Sequence, residues 1–105
     1  MDSTHPLYIL YTSGTTGKPK GIVRDHGGTA VLLHHAMRKI YNANPGDSMF
    51  CSSDIGWVLG HSFIIYGPLV AGMRSVIFEG KPVGTPSPDV FWELIDRLKS
   101  IFSFI

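Results

Sequence analysis

The fold of this chain is decided around the stretch Thr12-Ser13-Gly14-Thr15-Thr16-Gly17-Lys18-Pro19-Lys20-Gly21. Residues 7–12 before it and 22–24 after it are rich in β-branched and aromatic residues, which predicts a strand on each side. Its glycines allow the positive φ angles that point several backbone N–H groups at one anion. Lys18, Lys20 and Arg24 supply positive charge, and no acidic residue lies between positions 12 and 24. The pattern predicts a loop that binds the phosphates of a nucleoside triphosphate.

Other interpretations of this loop follow from the same residue types. An ordinary surface turn uses them too, so that alternative stays open. The loop does not match a Walker A motif, because Pro19 and Lys20 stand where that motif requires Gly and Lys. It does not match the dinucleotide fingerprint either, because its glycines are spaced three and four residues apart. Pro19 and the β-branched residues after it favour a loop that leads into a strand rather than a helix.

The rest of the chain predicts an α/β fold with a mostly parallel sheet and helical crossovers, because strand-like segments alternate with helical ones. Residues 49–52 and 75–79 predict strands, residues 44–47 predict a turn, and the apolar run at 57–71 predicts one buried helix.

Two further helices are predicted from their start signals and apolar faces. Asp25 is expected to cap the first helix, which ends near Asn42. Ser87 is expected to cap the second, with Pro88 at its first helical position. The predicted apolar faces are Ala30, Leu33, Ala36, Met37, Ile40 and Tyr41 in the first helix, and Phe91, Leu94, Ile95 and Leu98 in the second.

Length and composition limit the class of protein. A chain of 105 residues that is 44% hydrophobic suits one small domain or part of a larger one. A formal net charge of +1 predicts neither a nucleic-acid partner nor an anionic membrane. Cys51 is the only cysteine, which excludes an intramolecular disulfide and suits a reducing compartment. We therefore expect an intracellular protein of the cytoplasm or mitochondrial matrix.

Residues 11–21 resemble the phosphate-loop signature of the adenylate-forming enzymes, the superfamily of acyl-CoA synthetases, luciferases and nonribosomal adenylation domains. Three later segments are similar to the short-chain branch, the acetyl- and propionyl-CoA synthetases, and the last of them is closest to the propionyl type. The resemblance extends over about residues 7–99. The three segments are Ser53-Asp54-Ile55-Gly56-Trp57-Val58-Leu59-Gly60-His61-Ser62, Tyr66-Gly67-Pro68-Leu69 and Glu79-Gly80-Lys81-Pro82-Val83-Gly84-Thr85-Pro86.

The resemblance implies that residues 1–105 are a segment of the large N-terminal, AMP-binding domain of such an enzyme, without its C-terminal domain. The implied activity is that of an acid–thiol ligase, which joins a short-chain carboxylate to AMP with ATP and then transfers the acyl group to CoA. The resemblance also implies which residues bind the ATP phosphates: Thr12, Ser13, Gly14, Thr15, Thr16, Gly17, Lys18 and Lys20. The acid that engages Mg²⁺ and the aspartate that holds the ribose match no position in this chain, so no metal ligand is predicted.

By the same resemblance, Trp57, Val58 and Leu59 line the acyl pocket, and Leu59 and Val83 approach CoA. Burial tendencies alone favour Trp57 as a core residue instead. A hydrophobic pocket separates acids that differ by one methylene by only about 1–3 kcal/mol. Acetate and propionate are therefore not distinguished by this assignment.

Several alternatives remain for the function. Gly60-His61-Ser62-Phe63-Ile64 begins like the nucleophile elbow of an α/β-hydrolase, but Ile64 stands where the last glycine is required. His61 either orients a substrate or packs in the core. A truncated nucleotide-binding or interaction fragment without turnover is the non-enzymatic alternative. Residues 100–105 predict an exposed apolar edge through which the chain self-associates.

Overall fold

The computed structural model describes residues 1–80 and 87–103. Two sheets form, an antiparallel hairpin of β1 and β2 and a three-stranded parallel sheet in the order β4-β3-β5. Helical segments connect the parallel strands, which confirms the predicted α/β architecture with crossovers. In chain order the elements are β1 Pro6–Thr12, β2 Lys20–Asp25, α1 His26–Lys39, β3 Ser48–Cys51, α2 Val58–Gly60, a π-helical turn His61–Tyr66, α3 Gly67–Val70, β4 Arg74–Val76, α4 Val90–Leu98 and β5 Ser100–Ser103.

The start of α1 follows the prediction from sequence. A carboxylate oxygen of Asp25 accepts a hydrogen bond from the backbone N–H of Gly28 at 3.2 Å, as an N-cap does. The helix ends at Lys39 rather than near Asn42, which has a left-handed φ of 50°. Because the helix ends early, Ile40 lies beyond the buried stripe and is 72% exposed.

The buried face of α1 is narrower than the sequence predicts. Leu33, Ala36 and Met37 are buried as expected, whereas Ala30 is exposed and Thr29 is buried in its place. Met37 belongs to the buried core cluster. The other members of the cluster are Ala43, Met49, Ala71 and Met73, and the partly buried side chains packed against it are Tyr41, Phe63 and Ile101.

The central strand β3 is buried along its whole length, since it pairs with β4 on one side and β5 on the other. It begins one residue earlier than predicted and ends at Cys51. β4 stops at Val76 instead of position 79, where its ladder with β3 ends at the pair Phe50↔Val76. The predicted turn at 44–47 is present, where Asp47 accepts from the N–H of Asn44 at 2.9 Å.

The predicted helix over residues 57–71 is present as one continuous helical segment from Val58 to Val70, in which the π turn joins α2 to α3. The prediction that it is buried fails at its end, where Leu69 and Val70 are exposed. Pro68 has no N–H to donate to the carbonyl of Ile64, four residues earlier. The hydroxyl of Ser75 donates to that carbonyl instead, and so joins β4 to the π turn.

Two predictions for the last third of the chain also need correction. Ser87 does not cap α4, since residues 87–90 form a turn in which the N–H of Val90 reaches the carbonyl of Ser87 at 3.4 Å. Asp89 takes the N-cap position and makes no side-chain capping bond. The segment after Lys99 is a paired strand, because β5 pairs with β3 from Ser100↔Ser48 onward. It still forms one edge of the sheet.

Candidate functional site

The predicted phosphate loop closes the β1–β2 hairpin. Thr12 and Lys20 are directly paired across the two strands, so residues 13–19 form the connection between them. A turn inside the connection is fixed by the N–H of Gly17, which donates to the carbonyl of Gly14 at 3.0 Å. The hairpin therefore brings Thr12 and Lys20, eight positions apart in sequence, to the mouth of one loop.

The three glycines of the loop have different roles. Gly17 has the predicted positive φ, +82°, but its N–H donates inside the loop to the carbonyl of Gly14. Gly14 and Gly21 do not have positive φ, so that part of the prediction is wrong. A Cβ on Gly14 would overlap the carbonyl oxygen of Lys18, and one on Gly21 would lie 3.1 Å from the side chain of Ile9. Gly14 is therefore required by the close approach of the backbone at Lys18, whereas a side chain at position 21 needs only a small shift of Ile9.

The side chains of the loop are open to solvent. Thr15, Thr16, Lys18 and Lys20 are exposed, and Thr12 is half-buried. Among the residues that the structure describes, the one ion pair joins Lys99 to Asp96, so both loop ammonium groups are free of carboxylates. The loop can therefore present hydroxyls and two cations to one anion.

The proposed acyl-pocket residues lie at the start of α2. Trp57 is its N-cap and is 48% exposed, whereas Val58 and Leu59 are half-buried. Exposure of half the indole does not fit the alternative that Trp57 is a core residue. Asp54 shapes this segment, because its side chain accepts from the N–H of Gly56 at 2.7 Å and its carbonyl accepts from the N–H of Trp57 at 3.1 Å.

Gly60 is packed against the backbone of the same segment. A Cβ at this position would overlap the carbonyl oxygen of Asp54 and lie 2.5 Å from the Cα of Ile55. Glycine at position 60 therefore lets α2 return over the turn that precedes Trp57.

A cavity of about 290 Å³ opens at the carboxyl ends of β3 and β4. Its lining includes Cys51, Asp54, Ile55 and Phe78, but none of Trp57, Val58 and Leu59. The proposed acyl residues and this cavity are thus separate features. Val83, the second residue expected near CoA, lies outside the described residues.

The hydrolase alternative is contradicted by the fold. Ser62 lies inside the π turn, after α2, whereas a nucleophile elbow places its serine between a strand and a helix. The Nδ1 of His61 is 3.0 Å from the carbonyl oxygen of Trp57. Because a carbonyl only accepts, Nδ1 carries the proton and donates.

Metal and membrane features can be stated for residues 1–80 and 87–103. No group of three or more His, Cys, Asp and Glu side chains there is arranged to hold a metal ion. His34 and His35 are both exposed on α1. No helix in the same ranges has the length and hydropathy needed to cross a bilayer.

One cluster of aromatic rings near the site was not predicted from the sequence. Tyr8 of β1 stacks on Tyr66 with ring centroids 5.6 Å apart and planes 5° apart. The ring of His61 lies 5.0 Å from the ring of Tyr8. His61 and Tyr66 are five residues apart in the sequence. This spacing puts two side chains on the same face in a π turn but not in an α-helix, and a π turn was not predicted from the sequence.

The site is a hairpin loop rich in glycine, hydroxyls and cations, and it lies beside a small parallel sheet. These features agree with the family of known proteins that this chain matches. The family model described as "AMP-binding enzyme" matches residues 1–104, and the chain belongs to that family. Its relatives are short-chain acyl-CoA synthetases, as the motifs predicted.

Two relatives show the degree of similarity. "Acyl-CoA synthetase short-chain family member B, mitochondrial" of Dictyostelium discoideum is 54% identical over 105 residues, which cover 98% of this chain and 15% of that protein. "Acyl-CoA synthetase short-chain family member 3, mitochondrial" of Homo sapiens is 56% identical over 93 residues. That alignment covers 89% of this chain and 14% of the human protein. The chain thus spans about a seventh of the length of these relatives.

A solved structure agrees with this family. The structure titled "Acetoacetyl-CoA Synthetase from Streptomyces lividans" superimposes with a TM-score of 0.85 at 34% identity, over 97% of this chain and 16% of that one. The fold of the segment is therefore the fold of the matching part of an adenylate-forming enzyme.

Proposed function

We propose that this chain is the ATP-phosphate-binding segment of the adenylation domain of a short-chain acyl-CoA synthetase. In the proposed reaction a carboxylate oxygen bonds to the α-phosphorus of ATP while the bond from that phosphorus to pyrophosphate breaks. The thiolate of CoA then bonds to the acyl carbon, and AMP leaves. The residues of the loop bind and orient the triphosphate, and none of them is a nucleophile.

The pairing of Thr12 with Lys20 across the hairpin is the observation that carries this proposal. It gathers the hydroxyls of Thr12, Ser13, Thr15 and Thr16 and the ammonium groups of Lys18 and Lys20 around one connection. The carboxylate and the triphosphate repel each other, and fixed cations and N–H donors lower that repulsion. Each charge-assisted hydrogen bond contributes about 1.5–3 kcal/mol.

The acyl group is proposed to contact Trp57, Val58 and Leu59, with Leu59 and Val83 near CoA. The half-exposed indole of Trp57 supports this assignment, because it leaves a large apolar surface available to a ligand. Acetate and propionate are both substrates in this proposal, since one methylene changes binding by only about 1–3 kcal/mol.

The described residues do not fit a resident Mg²⁺ site, because the loop has no carboxylate and no suitable cluster occurs in residues 1–80 and 87–103. Magnesium is proposed to arrive with ATP and to use an acid outside these residues. The names of the two mitochondrial relatives support the mitochondrial matrix as the compartment, with the cytoplasm as the alternative.

The alternative function is a nucleotide-binding or interaction fragment without turnover. It needs only the phosphate loop, whose threonine and lysine side chains at positions 15, 16, 18 and 20 are exposed. Both proposals expect residues 1–105 alone to be inactive, so robust turnover by the isolated chain would contradict that shared expectation and exclude the alternative, which has no turnover in any context.

The test is a chimera in which this segment replaces the matching one of the human relative. We expect ATP–pyrophosphate exchange that depends on acetate or propionate, with butyrate as a third substrate. Thr16→Ala combined with Lys20→Ala removes two contacts to the phosphates, so exchange should fall about a hundredfold or more.

The matched control is Thr4→Ala combined with Lys39→Ala, which removes an exposed threonine and an exposed lysine away from the loop. We expect the control to keep full exchange. If the two double variants behave alike, the phosphate-binding proposal is wrong.

A further inference from the structure

Three aromatic rings connect the phosphate-loop hairpin to the segment that carries Trp57. We name Tyr8, His61 and Tyr66 the aromatic clip. Tyr8 lies between two rings of the π turn, at 5.0 Å from His61 and 5.6 Å from Tyr66. Parallel and tilted ring pairs at these distances are attractive beyond the apolar area that they bury.

The π turn explains why both partners reach the same tyrosine. At 3.6 residues per turn, positions five residues apart on an α-helix differ in direction by about 140°. A π turn closes with bonds to the fifth residue, as the N–H of Gly67 does with the carbonyl of Ser62. His61 and Tyr66 therefore come to one face, against Tyr8.

The clip continues to the proposed acyl residues through a hydrogen bond. The Nδ1–H of His61 donates to the carbonyl oxygen of Trp57 at 3.0 Å. The backbone N–H of His61 donates to the same oxygen at 3.0 Å. The imidazole thus holds the N-cap residue of α2 on one side and contacts β1 on the other.

The hairpin is joined to the rest of the chain by these ring contacts and by the start of α1, where the N–H of His26 donates to the carbonyl of His5 at 3.0 Å. β1 and β2 form a sheet of their own, with no ladder to the parallel sheet in the described residues. A two-stranded hairpin is only marginally stable by itself. Tyr8 lies four residues before Thr12, about 13 Å along a strand. A shift at Tyr8 is therefore transmitted to the loop.

We propose that the aromatic clip fixes the distance between the phosphate loop and the Trp57 segment, and that His61 determines acyl selectivity through the Trp57 carbonyl. Tyr8, His61 and Tyr66 are positioning residues in this proposal, which rests on the function proposed above. The physical reason is that two bound reactants gain rate only when their reacting atoms are held in register.

The first test compares Tyr8→Leu with Tyr8→Phe in the chimera. Leucine removes the ring and phenylalanine keeps it. The loss of one aromatic pair corresponds to a change of about two- to tenfold in an equilibrium or rate constant. We expect Tyr8→Leu to raise amide hydrogen exchange in Pro6–Thr12 and to lower kcat per active site by that factor, with active sites counted from the pyrophosphate burst. Tyr8→Phe should match the wild type in both measurements.

The second test separates the two contacts of His61. His61→Phe keeps a ring beside Tyr8 but has no donor for Trp57, whereas His61→Asn keeps a donor near Nδ1 and loses the ring. The readout is the ratio of kcat/KM for propionate to that for acetate, which does not depend on the active fraction. We expect His61→Phe to change this ratio about two- to tenfold and His61→Asn to leave it within about twofold.

The outcomes separate this proposal from the proposed function. If Tyr8→Leu equals Tyr8→Phe in hydrogen exchange and kcat, or if His61→Phe keeps the wild-type ratio, the clip proposal is wrong. If the wild-type chimera has no exchange activity with any carboxylate, the proposed function fails instead. In that case amide hydrogen exchange still decides whether the ring of Tyr8 holds the hairpin.

Discussion

Two aspartates occupy the same position at the start of a helix and act differently. Asp25 precedes α1 and accepts the N–H of Gly28 at 3.2 Å. Asp89 precedes α4 and makes no such bond. The difference arises from the backbone, because Asp25 is extended with ψ of 164° whereas Asp89 has ψ of 5°. An N-cap needs the extended conformation to aim its side chain at the first turn.

At this scale we predict unequal effects of removing the two carboxylates. Asp25→Ala should lower the free energy of unfolding by about 0.5–2 kcal/mol, the usual contribution of an N-cap. Asp89→Ala should change it by less than about 0.5 kcal/mol, as for a surface substitution. Urea denaturation of the chain measures both values, and Asp25→Asn serves as the conservative control. Equal losses for the two alanine variants would contradict the assignment of Asp25 as a cap.

Among the elements, α1 shows how far a helical pattern can be trusted. Three of the apolar residues that the pattern predicts to be buried are buried, namely Leu33, Ala36 and Met37. The helix has apolar residues on its outer side as well, and Val31 is 72% exposed. The elements that contact it are α3, β2 and the π turn. Burial in α1 is therefore decided by those neighbours and not by hydropathy.

We predict a large difference between neighbouring apolar residues of this element. Leu33 is 2% exposed, and Leu33→Ala should lower the free energy of unfolding by about 2–5 kcal/mol through the lost contacts and the cavity left behind. Val31→Ala should change it by less than about 0.5 kcal/mol. Thermal or urea unfolding of both variants measures the difference. A loss above about 1 kcal/mol for Val31→Ala, the average for point mutants, would show that this face is covered.

As a whole molecule, the chain exposes much apolar surface for its size. Ile9 and Val23, which are paired across the hairpin, are 56% and 57% exposed. The parallel sheet has β4 and β5 as its edges. Edge strands with unpaired backbone groups and apolar neighbours favour pairing with another chain.

We predict that the 105-residue chain self-associates through the β5 edge. Sedimentation velocity over a range of concentrations should show a weight-average mass that rises with concentration. The double variant Ile9→Lys, Val23→Glu places opposite charges on the hairpin face and leaves the β5 edge unchanged, so it should still associate. A single monomeric boundary at every concentration would refute self-association, and a monomeric double variant would assign it to the hairpin.

Much of this fold was predictable because its signals are local. The strands beside the loop, the turn at residues 44–47 and the Asp25 cap each depend on side chains within a few positions. The boundaries were less accurate where pairing with another strand set them, as for β4, whose ladder with β3 ends at the pair Phe50↔Val76. The residues of the loop were identified from sequence, but their roles as ligands remain predictions.

The sequence by itself determined the family, the α/β class and the position of the cationic loop, since these depend on residue types at fixed spacing. Only the tertiary structure showed that Thr12 and Lys20 are paired, that the apolar run contains a π turn, and that Tyr8 lies against His61 and Tyr66. The physical reason is distance along the chain. Tyr8 and His61 are 53 positions apart, and no local preference fixes which distant ring fills the space beside a strand.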